Sequence, residues 1–166
     1  MSVHFEDLSA TVKAALNDTT IAWLYEVGGE IAAQAKDTCQ FDDDTGGKQL
    51  KSTYGYRVNE GKGEVKIGSP LESAYWEEWG TGEYAAHGDG RKGWWIYIPG
   101  QASMGGGQTY STREEAESMA AFISATYGKK AVVTNGRRPN YTLEKAFKKV
   151  LPKAEATLAS KLKELE

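Results

Sequence analysis

Several short segments carry side chains whose types and spacing suit chemistry. Asp42-Asp43-Asp44 is the densest acidic run and has the donors of a cation loop or of a phosphatase nucleophile. A calcium loop needs oxygen ligands at alternate positions and a glutamate at its twelfth, where counting from Asp42 reaches Thr53. A nucleophilic aspartate belongs at the end of an apolar strand, and Cys39-Gln40-Phe41 hardly makes one, so the run reads as a solvated loop. Gly105-Gly106-Gly107 resembles a phosphate cradle, but Gln108-Thr109 follows where a lysine and a hydroxyl residue are required. Gly80-Thr81-Gly82 lacks the third glycine of a dinucleotide fingerprint. Glu77 and Glu78, set between Trp76 and Trp79, have the composition of a glycosidase cleft. Adjacent residues point in different directions, however, and cannot flank one bond. His87 has no nucleophile beside it, since the one thiol, Cys39, lies in a distant segment. One cysteine and two histidines supply no zinc set. These residues imply no catalytic group, no metal site and no cofactor, and they leave Tyr75, Trp76 and Trp79 as core or subunit-interface aromatics.

The elements that would position these residues can be read from periodicity. Apolar residues Phe5, Leu8, Val12, Leu16, Trp23, Val27 and Ile31 recur mostly at three- or four-residue steps, which predicts one N-terminal amphipathic helix or two over residues 5–36. Asn17 and Asp18 favour caps and would divide it, and Gly28 and Gly29 weaken a helix interior unless something packs close there. After a polar loop at 42–47, Leu50, Ser52, Tyr54, Tyr56 and Val58 alternate with polar residues as in a half-buried strand. With a turn at 59–63 and a second alternation at 64–68, they predict a β-hairpin ended by Ser69-Pro70. Residues 71–79 predict a short helix, 80–93 and 103–109 loose glycine-rich loops, and 94–98 a strand. Ser111 with Glu114 and Thr112 with Glu115 have capping-box spacing before a helix that Gly128 should stop near Tyr127. Ala131-Val132-Val133 predicts a short strand, Asn135-Gly136 a turn, and 141–165 a last helix. That helix carries a stripe of Leu143, Phe147, Leu151, Leu158, Leu162 and Leu165 and is kinked at Pro152.

The fold class that follows is α+β. About four mainly antiparallel strands pack against a long N-terminal helix, a middle helix and a C-terminal helix, in one domain spanning 1–166. No apolar run approaches the roughly 20 residues of a membrane span. The first residues carry His4, Glu6 and Asp7 instead of the basic start of a secretory signal, so the chain is expected to stay where it is made. A net charge of -3 and a pI near 5.5 do not favour general nucleic-acid binding, although the C-terminal third is locally basic.

Four segments in order resemble one family. They are Asp44-Thr45-Gly46 with Leu50 and Ser52, Gly68-Ser69-Pro70, Tyr75-Trp76-Glu77-Glu78-Trp79-Gly80-Thr81-Gly82, and Gly136-Arg137-Arg138-Pro139-Asn140-Tyr141 with Ala146-Phe147. Over about residues 21–149 the chain is similar to the tail-completion or neck proteins of long-tailed bacteriophages, also described as minor tail or head–tail joining proteins. It departs from them in the extra residues Gly47-Lys48-Gln49 and in Phe41-Asp42-Asp43 where a proline often stands. The resemblance implies a structural virion protein. It would form a homo-oligomeric, usually hexameric, ring at the head–tail junction, between a neck or head-completion protein and the tail-tube or terminator protein. DNA would pass through its channel, and its location would be the virion tail or neck after assembly in the host cytoplasm. A tail terminator capping the tube is the near alternative, and a carbohydrate-binding module or hydrolase built on residues 75–95 the distant one.

Tyr75, Trp76, Glu77, Glu78, Trp79, Arg137 and Arg138 are the expected interface residues, with Gly80 and Gly82 shaping a structural turn. The basic stretch Lys129, Lys130, Arg137, Arg138, Lys145, Lys148 and Lys149 is expected to meet an acidic patch of Asp42 to Asp44, Glu72, Glu77 and Glu78 on the next subunit, with contact to DNA in the channel and a solvated basic face as the alternatives.

Overall fold

Leu24, Val27, Ile31, Ala32 and Ala35 fall on one helical face, and in the computed structural model all five are buried along α1 (Ser9–Thr38). The structure describes residues 9–40, 48–99 and 107–164. Phe5, Leu8, Asp42, Asp43, Asp44, Gly105, Gly106 and Leu165 lie outside them. The chain is α+β, and its described strands form two antiparallel ladders of two strands each, within two compact units.

One unit combines α1 with Tyr54–Gly68 and Leu143–Glu166. α1 runs uninterrupted through Asn17 and Asp18. Both are exposed there, and Thr20 Oγ1 donates back to Leu16 O at 2.8 Å, so the backbone ladder has no need of a cap. β1 (Gly55–Asn59) and β2 (Glu64–Gly68) pair in register from Gly55 opposite Gly68 to Asn59 opposite Glu64. Asn59 accepts from Lys62 N at 3.2 Å and Gly63 closes the turn with φ of 61°. The hairpin packs on α1 at Gly28, where a Cβ would come within 2.7 Å of the Tyr56 ring and 2.8 Å of Val65. Glycine inside the helix is therefore a packing requirement, imposed by side chains of the hairpin. Beside it, Tyr25 donates to Glu60 Oε1 at 2.9 Å, and this bond and the nearby carboxylate charge raise the phenol's pKa above its ordinary value.

The last helix, α5 (Thr142–Lys163), buries Ala146, Val150 and Ala154. The leucine stripe read from the sequence is displaced to the margin of this face, with Phe147 46% exposed and Leu151, Leu158 and Leu162 half-buried. Small side chains win because the Trp23 indole comes close enough to donate to Ala154 O at 2.8 Å. Two ion pairs flank that contact, Lys153 with Glu30 at 3.0 Å and Lys161 with Glu26 at 2.7 Å.

The other unit comprises Cys39–Thr53 and Ser69–Thr142. Its first element corrects the expected strand. Lys48–Thr53 is a short helix, α2, and Thr53 Oγ1 bonds Leu50 O at 2.7 Å, so extended backbone begins only at Gly55. Leu50 and Tyr54, each 1% exposed, are four residues apart, a separation that satisfies a period of 2 and a period of 3.6 alike. α3 (Glu72–Trp79) is followed by β3 (Trp95–Tyr97), α4 (Arg113–Tyr127) and β4 (Val132–Thr134). β3 pairs antiparallel with β4 from Trp95 opposite Thr134 to Tyr97 opposite Val132, and α4 packs on both strands.

Of the two capping boxes that the spacing allows, the Thr112 one forms. Thr112 accepts from Glu115 N at 3.2 Å while the Glu115 carboxylate takes Thr112 N, and Gly128 ends the helix with φ of 63°. Thr112→Ala should lower stability by about 1 kcal/mol, read as a shift in urea midpoint with unchanged slope.

Candidate functional site

α3 turns the usual preference of a helix around. Ala74, Glu77 and Glu78 lie on its buried face, with Glu77 at 0% and Glu78 at 7% exposure, whereas Tyr75 and Trp76 stand 49% and 42% exposed. A carboxylate out of water must be surrounded by donors. Glu77 Oε1 accepts from Gln40 N at 2.7 Å, Asn140 Nδ2 at 2.9 Å and Thr142 Oγ1 at 3.3 Å. Arg137 Nη2 lies 3.2 Å from Oε2, outside hydrogen-bond alignment, which makes that contact an ion pair. Asn140 also donates to Thr142 Oγ1 at 2.8 Å. Backbone bonds run alongside, from Asn140 N to Glu77 O at 2.9 Å and from Tyr141 N to Glu78 O at 3.2 Å. Tyr141, held between these contacts, takes the left-handed φ of 53°.

The clasp continues past the end of α3. Thr81 N donates to Arg137 O at 2.8 Å, Arg137 N to Thr81 Oγ1 at 3.0 Å, and Glu83 N to Asn135 O at 2.9 Å. Gly80 has φ of 74°, and a Cβ on it would sit 2.7 Å from Arg137 O and 2.8 Å from Pro139 N. Gly82 has φ of 62°, and there a Cβ would run into Asn135 O and the Trp95 ring. Gly136 meets Thr81 O from the other side. The turn expected at Gly80 and Gly82 is present, with close backbone approach as its second cause. The same bonds, with Ala86 N to Trp79 O at 2.8 Å, give residues 80–88 a defined path where the composition predicted a loose loop.

Two of the sequence segments singled out, 75–82 and 136–141, are thus brought together. Of the residues expected at an interface, Tyr75 and Trp76 are presented outward. Trp79 is half-buried, its ring 4.6 Å from that of His87 and 6.1 Å from that of Tyr141. Arg138 is exposed over the Tyr84 ring at 5.2 Å. Glu77 and Glu78 do not join a surface acidic patch, because both are buried, and Arg137 is engaged with Glu77 of its own chain. That burial also removes Glu77 as a solvent-facing partner for sugar hydrolysis. The part that Asn140 and Thr142 play was missed by sequence reasoning, Asn140 standing there only within a segment of the family resemblance. The available signal was the spacing of Ala74, Glu77 and Glu78, which places both acids on the side of the one small apolar residue. Among the described residues no cluster of metal-ligand side chains occurs, and no helix is long and apolar enough to cross a membrane. Comparisons with protein-family models, curated proteins and solved structures find no match to this chain.

Proposed function

We propose that the chain is a non-enzymatic structural subunit of a long-tailed phage particle, assembling as a ring at the head–tail junction between neck and tail-tube proteins. The observation that carries this reading is the inverted α3, which holds its acids inside and turns Tyr75 and Trp76 to the surface. Large aromatics on a short, rigidly anchored helix are the side chains from which interface hot spots are made. The anchoring comes from the clasp of 75–82 on 136–141, two of the four segments behind the resemblance to neck proteins. Within this reading the buried acids and the close-packed glycines serve to set the angle of an aromatic contact.

Size-exclusion chromatography with light scattering, followed by negative-stain imaging, tests the proposal. A closed ring is expected, six subunits being the number the resemblance implies. Replacing Tyr75 and Trp76 together by alanine should weaken association by about 2 kcal/mol or more, roughly 30-fold, while leaving the thermal transition nearly unchanged. A wild-type chain that stays monomeric at every concentration would remove the reading.

A further inference from the structure

β4 has one uncovered position on its outer edge. Trp94 N donates to Tyr110 O at 2.9 Å and Tyr110 N to Trp94 O at 2.7 Å, so Trp94 directs both backbone groups away from β4. Alternation in an antiparallel ladder then turns Trp95 and Tyr97 toward β4, making Trp95–Thr134 and Tyr97–Val132 the hydrogen-bonded pairs. Val133 consequently points its N–H and C=O away from β3. The neighbours of like direction are occupied, since Ala131 N donates to Ser124 Oγ at 3.2 Å and Asn135 O accepts from Glu83 N at 2.9 Å. Val133 has no such partner among the described residues.

The space beside it is an open groove of about 440 Å³ between α4 and β4, lined by the small or apolar Ala120, Ala121, Ser124, Ala131, Val132 and Val133 and by the charged Lys130, Arg113 and Glu117, the last two paired with each other at 2.6 Å. Its small walls leave room for a large apolar side chain. Natural sheet edges are usually blunted by charge or proline, and Val132-Val133-Thr134 has neither. Lys129 and Lys130, immediately before the strand, are exposed and make no ion pair among the described residues.

We propose that this groove receives an extended, acidic segment of a different polypeptide, which adds to β4 by a backbone pair with Val133, sets an apolar side chain between α4 and β4, and places a carboxylate near Lys130. A second copy adding one of its own described strands is disfavoured by charge. β1 carries Arg57, β2 balances Glu64 with Lys66, and β3 and β4 are uncharged, so no described strand of this chain is acidic.

The test uses a fluorescein-labelled peptide alternating leucine and threonine and ending in two glutamates, titrated with the full chain and followed by anisotropy. Saturable binding is expected. It should fall at least tenfold when the peptide's central backbone N–H is methylated, and about fivefold with Lys130→Glu or with lysines in place of the peptide's glutamates. Ala121→Trp, at an exposed helix position lining the groove, should abolish it with an unchanged circular-dichroism melt. Should that variant misfold, Lys130→Glu and the methylated peptide carry the same decision. No binding, equal binding of the methylated peptide, or indifference to these changes overturns the proposal. So does self-association of the chain that Ala121→Trp removes and the peptide cannot displace, which would make a second copy the occupant.

Discussion

Glu77→Ala is expected to cost about 3–5 kcal/mol, among the largest effects of any single substitution in this chain. Removing the carboxylate takes away the acceptor shared by one Asn140 amide hydrogen, the Thr142 hydroxyl and the Gln40 N–H, the first two in buried places. Hydrogen bonds to a charged group contribute about 1.5–3 kcal/mol apiece and do not add fully within one network. Arg137 softens the loss, because its side chain is 37% exposed and can turn to water. Against a typical total stability of about 5–15 kcal/mol, the variant should be partly unfolded at 37 °C. Glu77→Gln keeps an acceptor oxygen but loses the ion pair and should cost less, on the order of 1–2 kcal/mol. Urea unfolding followed by tryptophan fluorescence measures both. If Glu77→Ala lost under about 1 kcal/mol, Glu77 would not be what holds residues 137–142 to α3.

Gly82→Ala should be as damaging for a different reason. The new methyl meets backbone on one side and an indole on the other, while φ of 62° already disfavours any side chain. Neither obstacle can move without breaking the bond from Glu83 N to Asn135 O or displacing Trp95 from β3. A loss of about 3 kcal/mol or more is expected. Gly63→Ala supplies the control, since Gly63 has nearly the same φ of 61° with nothing within 4 Å of the place a methyl would take. It should cost only about 1 kcal/mol, the conformational part alone. Equal melting temperatures for the two variants would show that close approach at Gly82 is not what matters.

Local signals were legible where they determine structure by themselves. The Thr112 to Glu115 box and the Gly128 stop each follow from a few neighbouring residues and are present, and the hairpin predicted from Leu50 onward is present from Gly55 to Gly68. The short helix at 72–79 was also readable, but not which side of it faces inward. Its burial pattern depends on donors from Gln40, Asn140 and Thr142 and on the charge of Arg137, more than thirty residues away in either direction. An aromatic-rich helix read alone points its rings inward; three donors and one guanidinium converging on one carboxylate reverse that. α5 shows the same limit, because the buried side was chosen by the fit of Trp23 against Ala154, which no periodicity within the helix records. Lys48–Thr53 failed for a simpler reason, two apolar residues being too few to distinguish one period from another.

The division of the chain into non-contiguous units has a consequence during synthesis. All of Cys39–Thr53 and Ser69–Thr142 is translated before Leu143, whereas the unit containing α1 lacks its last helix until Leu143–Glu166 follow. At about 5–20 residues per second this interval lasts on the order of seconds, long compared with helix and hairpin formation. Throughout it the Trp23 indole has no Ala154 carbonyl to bond, and Glu26 and Glu30 have no lysines of α5 beside them. The nascent chain therefore carries α1 without the partners that α5 will bring, and a chaperone that shields apolar helix faces would find its target there.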